Sequence, residues 1–181
     1  MRRLVARAAA AAFCVLSLSG CVGSAGSILP DAKALFGERL RLQFYTLHKG
    51  FADDPEQASF KWDGARYVHA GGGMSDVTAF TAHPFEASSY IIQSAAAKRP
   101  HIFEYAVAHK LAEGVYQVIA IDEDDANRAT RARNCKQADD SHYRVVKRKQ
   151  LFVFAHATAT RHIGEGGLVL RLANDDLEPR R

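Results

Sequence analysis

The stretch His101–Asp122 reads HIFEYAVAHKL-AEG-VYQVIAID. It carries two runs rich in β-branched and aromatic residues, His101–Leu111 and Val115–Asp122, with Glu113-Gly114 between them. Such runs, broken by a glycine-containing pair, are the signature of two antiparallel strands joined by a short turn. Two neighbouring apolar strands need cover, so the hairpin is expected near the middle of a sheet.

Working outward, the same pattern recurs. In Ser59–Val68, SFKWDGARYV, Phe60 and Trp62 lead into Asp63-Gly64 and Tyr67-Val68 lead out, predicting a second hairpin on a tight two-residue turn. Leu40, Leu42 and Phe44 alternate with Arg41 and Gln43, the period of a half-buried strand. Val77–Ala82 and Ser89–Gln93 are weaker strand candidates separated by His83-Pro84, and Gly71-Gly72-Gly73 interrupts the chain before them. Tyr143–Lys147 and Leu168–Leu172 complete the set, and the polar sequence Glu123–Ser141 has room for a helical turn or two.

Helical spacing is clearest in Lys149–Arg161, where Leu151, Phe154, Ala155 and Thr158 share a face and Gly164 follows as a stop, although its β-branched residues leave a strand as the alternative. Ile28–Glu38 offers a shorter helix, with Pro30 and Asp31 at its start and Gly37 at its end. No βαβ alternation is present. The expected fold is therefore α+β, mainly antiparallel β: six to eight strands in a single sheet or a partly closed barrel, with one or two helices. The globular domain is expected to span residues 39–174, followed by a polar tail at 175–181.

The N-terminus has a different character. Arg2, Arg3 and Arg7 precede the apolar run Ala8–Leu18, and Leu18-Ser19-Gly20-Cys21 follows. A basic start and about ten apolar residues form a secretory signal, too short for the ~20 residues of a membrane span. Leu18-Ser19-Gly20-Cys21 resembles the lipobox of bacterial lipoproteins: an aliphatic residue, two small ones, then cysteine. The resemblance covers only the first two dozen residues. It implies a signal peptide at 1–20, cleavage between Gly20 and Cys21, and a diacylglyceryl group on the Cys21 thiol, usually with an acylated (palmitate-type) new amino terminus. Two or more acyl chains hold a protein stably on a membrane. Val22, where aspartate would signal retention, implies the outer membrane with the domain facing the periplasm. Cys21–Ser27, CVGSAGS, reads as a flexible tether, so 21–38 is expected as tether plus short helix.

The formal charge of +4 is mostly targeting. Three of the 24 basic residues lie in the signal, leaving 21 against 20 acidic side chains. No basic excess is left to neutralise a phosphate backbone, which argues against a nucleic-acid partner. Of three cysteines, Cys14 leaves with the signal and Cys21 is the lipid site, so Cys135 has no intramolecular partner. A buried thiol is the default, although Arg131, Arg133 and Lys136 are close in sequence.

No motif carries chemistry. The eight histidines, His48, His69, His83, His101, His109, His142, His156 and His162, lack the spacing of a metal site on one helix. Asp122–Asp125 fails the calcium-loop pattern at Asn127 and Arg133, and Gly71–Ser75 lacks the lysine of a phosphate-binding loop. Arg144, Lys147, Arg148 and Lys149 form a short basic run, commonly a solvated face but suited to anionic head groups. No catalytic residue, cofactor or metal ligand is therefore assigned. The expected function is a binding or interaction module held at the envelope through acyl chains on Cys21, with an envelope protein or the cell wall as partner. The alternatives are an envelope hydrolase, for which His156, His162 and Glu165 are the first candidates, and a periplasmic metal-binding protein.

Overall fold

The computed structural model describes residues 22–30, 32–48, 51–52, 55–72, 77–96, 99–121, 135–137, 143–145, 147–165 and 167–173. The signal segment, Cys21, the acidic run at 122–125 and the tail from 174 lie outside them. The described elements are β1 (Val22–Ser24), β2 (Arg39–His48), β3 (Phe51–Ala52), β4 (Glu56–Trp62), β5 (Tyr67–Gly72), β6 (Val77–Glu86), β7 (Ser89–Ala96), β8 (Arg99–Ala112), β9 (Val115–Ala120), β10 (Cys135–Gln137), β11 (Tyr143–Val145), α1 (Arg148–His162) and β12 (Gly167–Leu172).

The strands β2, β4, β5, β6, β7, β8 and β9 pair in chain order, every pairing antiparallel. β12 then inserts between β9 and β2, with Leu170 opposite Tyr116 on one side and Phe44 on the other. The result is a closed, up-and-down barrel of eight strands. The expected choice between open sheet and partly closed barrel is thus decided by Leu168–Leu172. This short strand satisfies both edges left by the meander, and closure removes the exposed edges that invite aggregation.

The alternation of side chains builds two cores. Inside the barrel Leu40, Leu42, Phe44, Ala58, Phe60, Tyr67 and Phe80 are buried together, with Phe36, Trp62, Ile92, Leu168, Leu170 and Leu172 packed on them. Outside, Ile91, Tyr105 and Val107 project from β7 and β8 and meet Leu151, Phe154, Ala155 and Ala159 of α1, together with Val22 and Leu29. β7 and β8 are therefore apolar on both faces, which is why His101–Leu111 reads as a nearly continuous apolar run. Elsewhere the outer face is polar: Arg39, Arg41, Lys61 and Arg171 are exposed. Apolar inside and charged outside is the inverse of a transmembrane barrel. No described helix is long and apolar enough to cross a membrane.

Several expectations need correction. No helix forms in the described part of Ile28–Glu38: Gly37 adopts φ 85° and Phe36 turns into the barrel end. Val22–Ser24 is not tether but strand, lying between β8 and β11. Its small residues serve close approach, since a Cβ on Gly23 would stand 3.2 Å from the Phe103 carbonyl oxygen. The β4–β5 turn has four residues, not two: Trp62 pairs with Tyr67, and the Asp63 carboxylate accepts the amides of Ala65 and Arg66 at 2.9 Å each. Those two bonds hold the Asp63 carboxyl below its usual pKa. His83-Pro84 lies within β6 rather than between strands, with a register shift after Pro84. Gly71 and Gly72 belong to β5.

Candidate functional site

The barrel interior contains a cavity of about 90 Å³. Its cause is a mismatch of side-chain size around the wall. β2, β4, β6 and β12 contribute Leu42, Phe44, Phe60, Phe80 and Leu170, whereas β7 and β8 contribute Ser94, Ala106 and Ala108 beside the single large Ile92. An eight-stranded barrel is just wide enough for its side chains to fill, or for one small ligand to be held. Three small residues on adjacent strands leave this one incompletely filled. Apart from the hydroxyls of Ser94 and Tyr116, the side chains lining the cavity are hydrocarbon. His69 on β5 pairs across to Phe60, with ring centroids 5.5 Å apart. Its Nε2 is buried and has no hydrogen-bond partner among the described residues.

One end of the barrel is closed by the segment before β2. The Phe36 ring lines the cavity and meets Tyr90 and Tyr116 edge-on, at 5.6 and 5.7 Å between centroids. Tyr67 fixes this plug. Its hydroxyl accepts the Phe36 amide at 2.9 Å and donates to the Gly37 carbonyl at 3.0 Å. The Tyr67 ring is itself stacked on Phe80, 5.0 Å away, and burial raises its pKa. Burial likewise raises that of Tyr116, with the neighbouring Tyr90 adding to the effect. Both phenols stay protonated and neutral, suited to an apolar chamber.

A second polar arrangement lies outside the barrel, under the N-terminal segment. The Ser24 hydroxyl donates to the Gly26 carbonyl and stands 2.5 Å from the Tyr105 hydroxyl, which is 3.3 Å from Gln93 Oε1. Gln93 Nε2 donates to Ser27 Oγ at 3.0 Å, and His83 Nε2 lies 2.9 Å from Thr81 Oγ1. Burial pushes the Tyr105 phenol up to about 12 and, with the Arg148 charge, lowers the His83 pKa. These are satisfied groups fastening β1 to β6–β8, not a reactive set.

The residues singled out from sequence fall in separate places. His162 Nδ1 is 2.6 Å from Glu165, as their closeness in sequence suggests, but His156 pairs instead with Glu86 of β6 at 2.9 Å. Both pairs sit on the outer side with α1, away from the cavity. His109 meets Ser89 and His83 meets Thr81, so the five histidines with described side chains occupy five different surroundings. No group of three or more His, Cys, Asp or Glu able to hold a metal ion occurs among the described residues. Gly20 and Cys21 lie outside the described residues, as does His142. Cys135 enters the structure as the first residue of β10, paired with Val145.

The cavity was not legible in the sequence. Ala106 and Ala108 look like ordinary strand residues until the barrel closes and their neighbours prove too few to fill it. Comparison with protein-family models, with curated proteins and with solved structures returns no match.

Proposed function

We propose that this protein is a lipid-anchored protein of the bacterial envelope whose barrel binds one slender apolar molecule. The anchor rests on Leu18-Ser19-Gly20-Cys21 and the basic and apolar segments before it. The binding role rests on the cavity, walled by Phe, Leu, Ile, Val and Ala and closed at one end by Phe36.

Size limits the ligand class. Sites for drug-sized molecules measure ~300–1,000 Å³, so about 90 Å³ suits a single alkyl segment or small ring. Burying about six methylenes contributes ~5 kcal/mol, a Kd of a few hundred micromolar before any head-group contact. An acyl chain meets these requirements, and the outer membrane and periplasm supply such chains. Tyr116 and Ser94 are the groups at hand for a polar end.

The test is competitive displacement of a fluorescent apolar probe from the purified protein by saturated fatty acids of graded length. The reading predicts saturable one-to-one binding that strengthens with chain length and then stops improving. It also predicts at least about tenfold weaker binding in Ala108→Leu, because leucine adds three carbons and displacing two ligand methylenes already costs ~1.6 kcal/mol. Non-saturating binding, or equal affinity in the variant, would overturn it.

A further inference from the structure

The plugged end of the barrel carries polar groups that the packing does not use. The inward-facing positions of β8 run Ala106, Ala108 and then Lys110, the last residue before the pairing with β9 shifts register. Lys110 lies opposite Tyr116, and directly opposed residues of an antiparallel pair share a face. Tyr116 lines the cavity, so Lys110 belongs to the same column, at its rim. On the other side of β8, Ala108 lies opposite Tyr90. The Tyr90 and Tyr116 rings meet edge-on, 5.9 Å between centroids.

Buried polar groups in folded proteins have partners as a rule. The hydroxyls of Tyr67 and Tyr105 follow it. Tyr116 is only 5% exposed, yet neither its hydroxyl nor that of Tyr90 makes a hydrogen bond among the described residues. Lys110 bonds Glu113 Oε2 at 2.6 Å, but the Glu113 side chain is 82% exposed on the β8–β9 turn, and exposed pairs of this kind hold weakly. That bond raises the Lys110 pKa, and the neighbouring Tyr116 and Tyr90 phenols act in the same direction, so the amine is charged and stands close to both. An ammonium beside two O–H donors is a receptor for an anion: one neutralises the charge and the others donate to it.

We infer that the ligand of the cavity is a carboxylate-ended alkyl chain, its carboxylate held by Lys110, Tyr90 and Tyr116 and its chain lying along Ala108 and Ala106. The inference rests on the apolar-binding reading and names the polar end of that ligand. At ~3.4 Å per residue, Ala108 and Ala106 lie ~7 and ~14 Å along β8 from Lys110, so head and chain belong to one slender molecule. The Phe36 ring covers both tyrosines and has to move aside as the chain passes. Residues 32–38 form no helix or strand and are tied to the wall through Tyr67, so this segment can yield without breaking the strand ladder.

The experiment compares decanoate with decanol, equal chains with and without the charge, in displacing a neutral fluorescent apolar probe from the purified protein at pH 7.5. The wild-type protein should bind decanoate about tenfold more tightly than decanol, the size of one charge-assisted hydrogen bond. In Lys110→Met that ratio should fall to about one. In Glu113→Gln, which removes the competing carboxylate from an exposed turn, it should rise about two- to threefold. Equal wild-type affinity for the two compounds overturns the head-group site and leaves the apolar cavity standing. A decanoate preference retained in Lys110→Met, or lost in Glu113→Gln, overturns it as well. No saturable binding of either compound overturns the apolar-binding reading and this inference with it.

Discussion

Replacing Tyr67 by phenylalanine isolates what holds the barrel end shut. The ring keeps its stacking on Phe80 and its edge contact with Trp62, each at 5.0 Å. What disappears is one hydroxyl and two hydrogen bonds, from the Phe36 amide and to the Gly37 carbonyl. At a net ~1 kcal/mol for each bond the loss is ~2 kcal/mol. A domain of this size shifts its Tm by ~2–4 °C per kcal/mol, so the variant should melt ~4–8 °C lower. The same ~2 kcal/mol, expressed locally, raises opening of the Phe36 segment ~30-fold. Amide exchange at Phe36 is the direct reporter, because its N–H is the donor that loses its acceptor. Thermal unfolding by circular dichroism and hydrogen exchange of residues 32–38 measure the two effects. A variant with wild-type Tm and wild-type exchange at Phe36 would refute the assignment of Tyr67 as the fastener of this plug.

Other perturbations probe the remaining parts. Gly23→Ala brings a Cβ to 3.2 Å from the Phe103 carbonyl oxygen, a backbone atom with little freedom to yield, so β1 should loosen at ~1–3 kcal/mol, seen as faster amide exchange across Phe103–Tyr105. His83 has a lowered pKa in the folded state, so the unfolded chain binds the proton more readily. Stability from this group is fully present above about pH 6.5 and is lost as pH falls from there toward the folded-state pKa; urea unfolding at pH 7.5 and pH 5 should show the decline, and His83→Gln should reduce it. Glu165→Gln removes the partner of His162 on an exposed face, and should change stability by no more than ~1 kcal/mol and leave apolar-probe binding intact. A loss of binding there would move the functional site to α1.

The fold was legible wherever alternation met a turn. His101–Asp122 and Ser59–Val68 announce their hairpins through β-branched and aromatic runs around Glu113-Gly114 and Asp63-Gly64, and Leu151, Phe154, Ala155 and Thr158 announce the buried face of α1. Barrel closure was not legible, because nothing local tells Leu168–Leu172 that it will pair with both β9 and β2. β1 was misread for a physical reason: glycine and serine in Cys21–Ser27 look like tether composition, yet Gly23 serves close packing and Ser24 and Ser27 bond to Tyr105 and Gln93. The short helix expected over Ile28–Glu38 failed because Phe36 finds more burial among Tyr67, Tyr90 and Tyr116 than a surface helix would give it. Of the five histidines with described side chains, four bond to four separate neighbours and His69 packs against Phe60, so these five are not gathered in one place.

The cavity left by Ser94, Ala106 and Ala108 carries the central claim, and native mass spectrometry of the purified protein mixed with a saturated fatty acid at about 1 mM tests it most directly. At a Kd of a few hundred micromolar, a second population heavier by one fatty acid molecule should make up about half or more of the protein. That population should be much smaller in Ala108→Leu prepared in the same way. A single population with no added mass, together with no saturable uptake of fatty acids of any length, would contradict it.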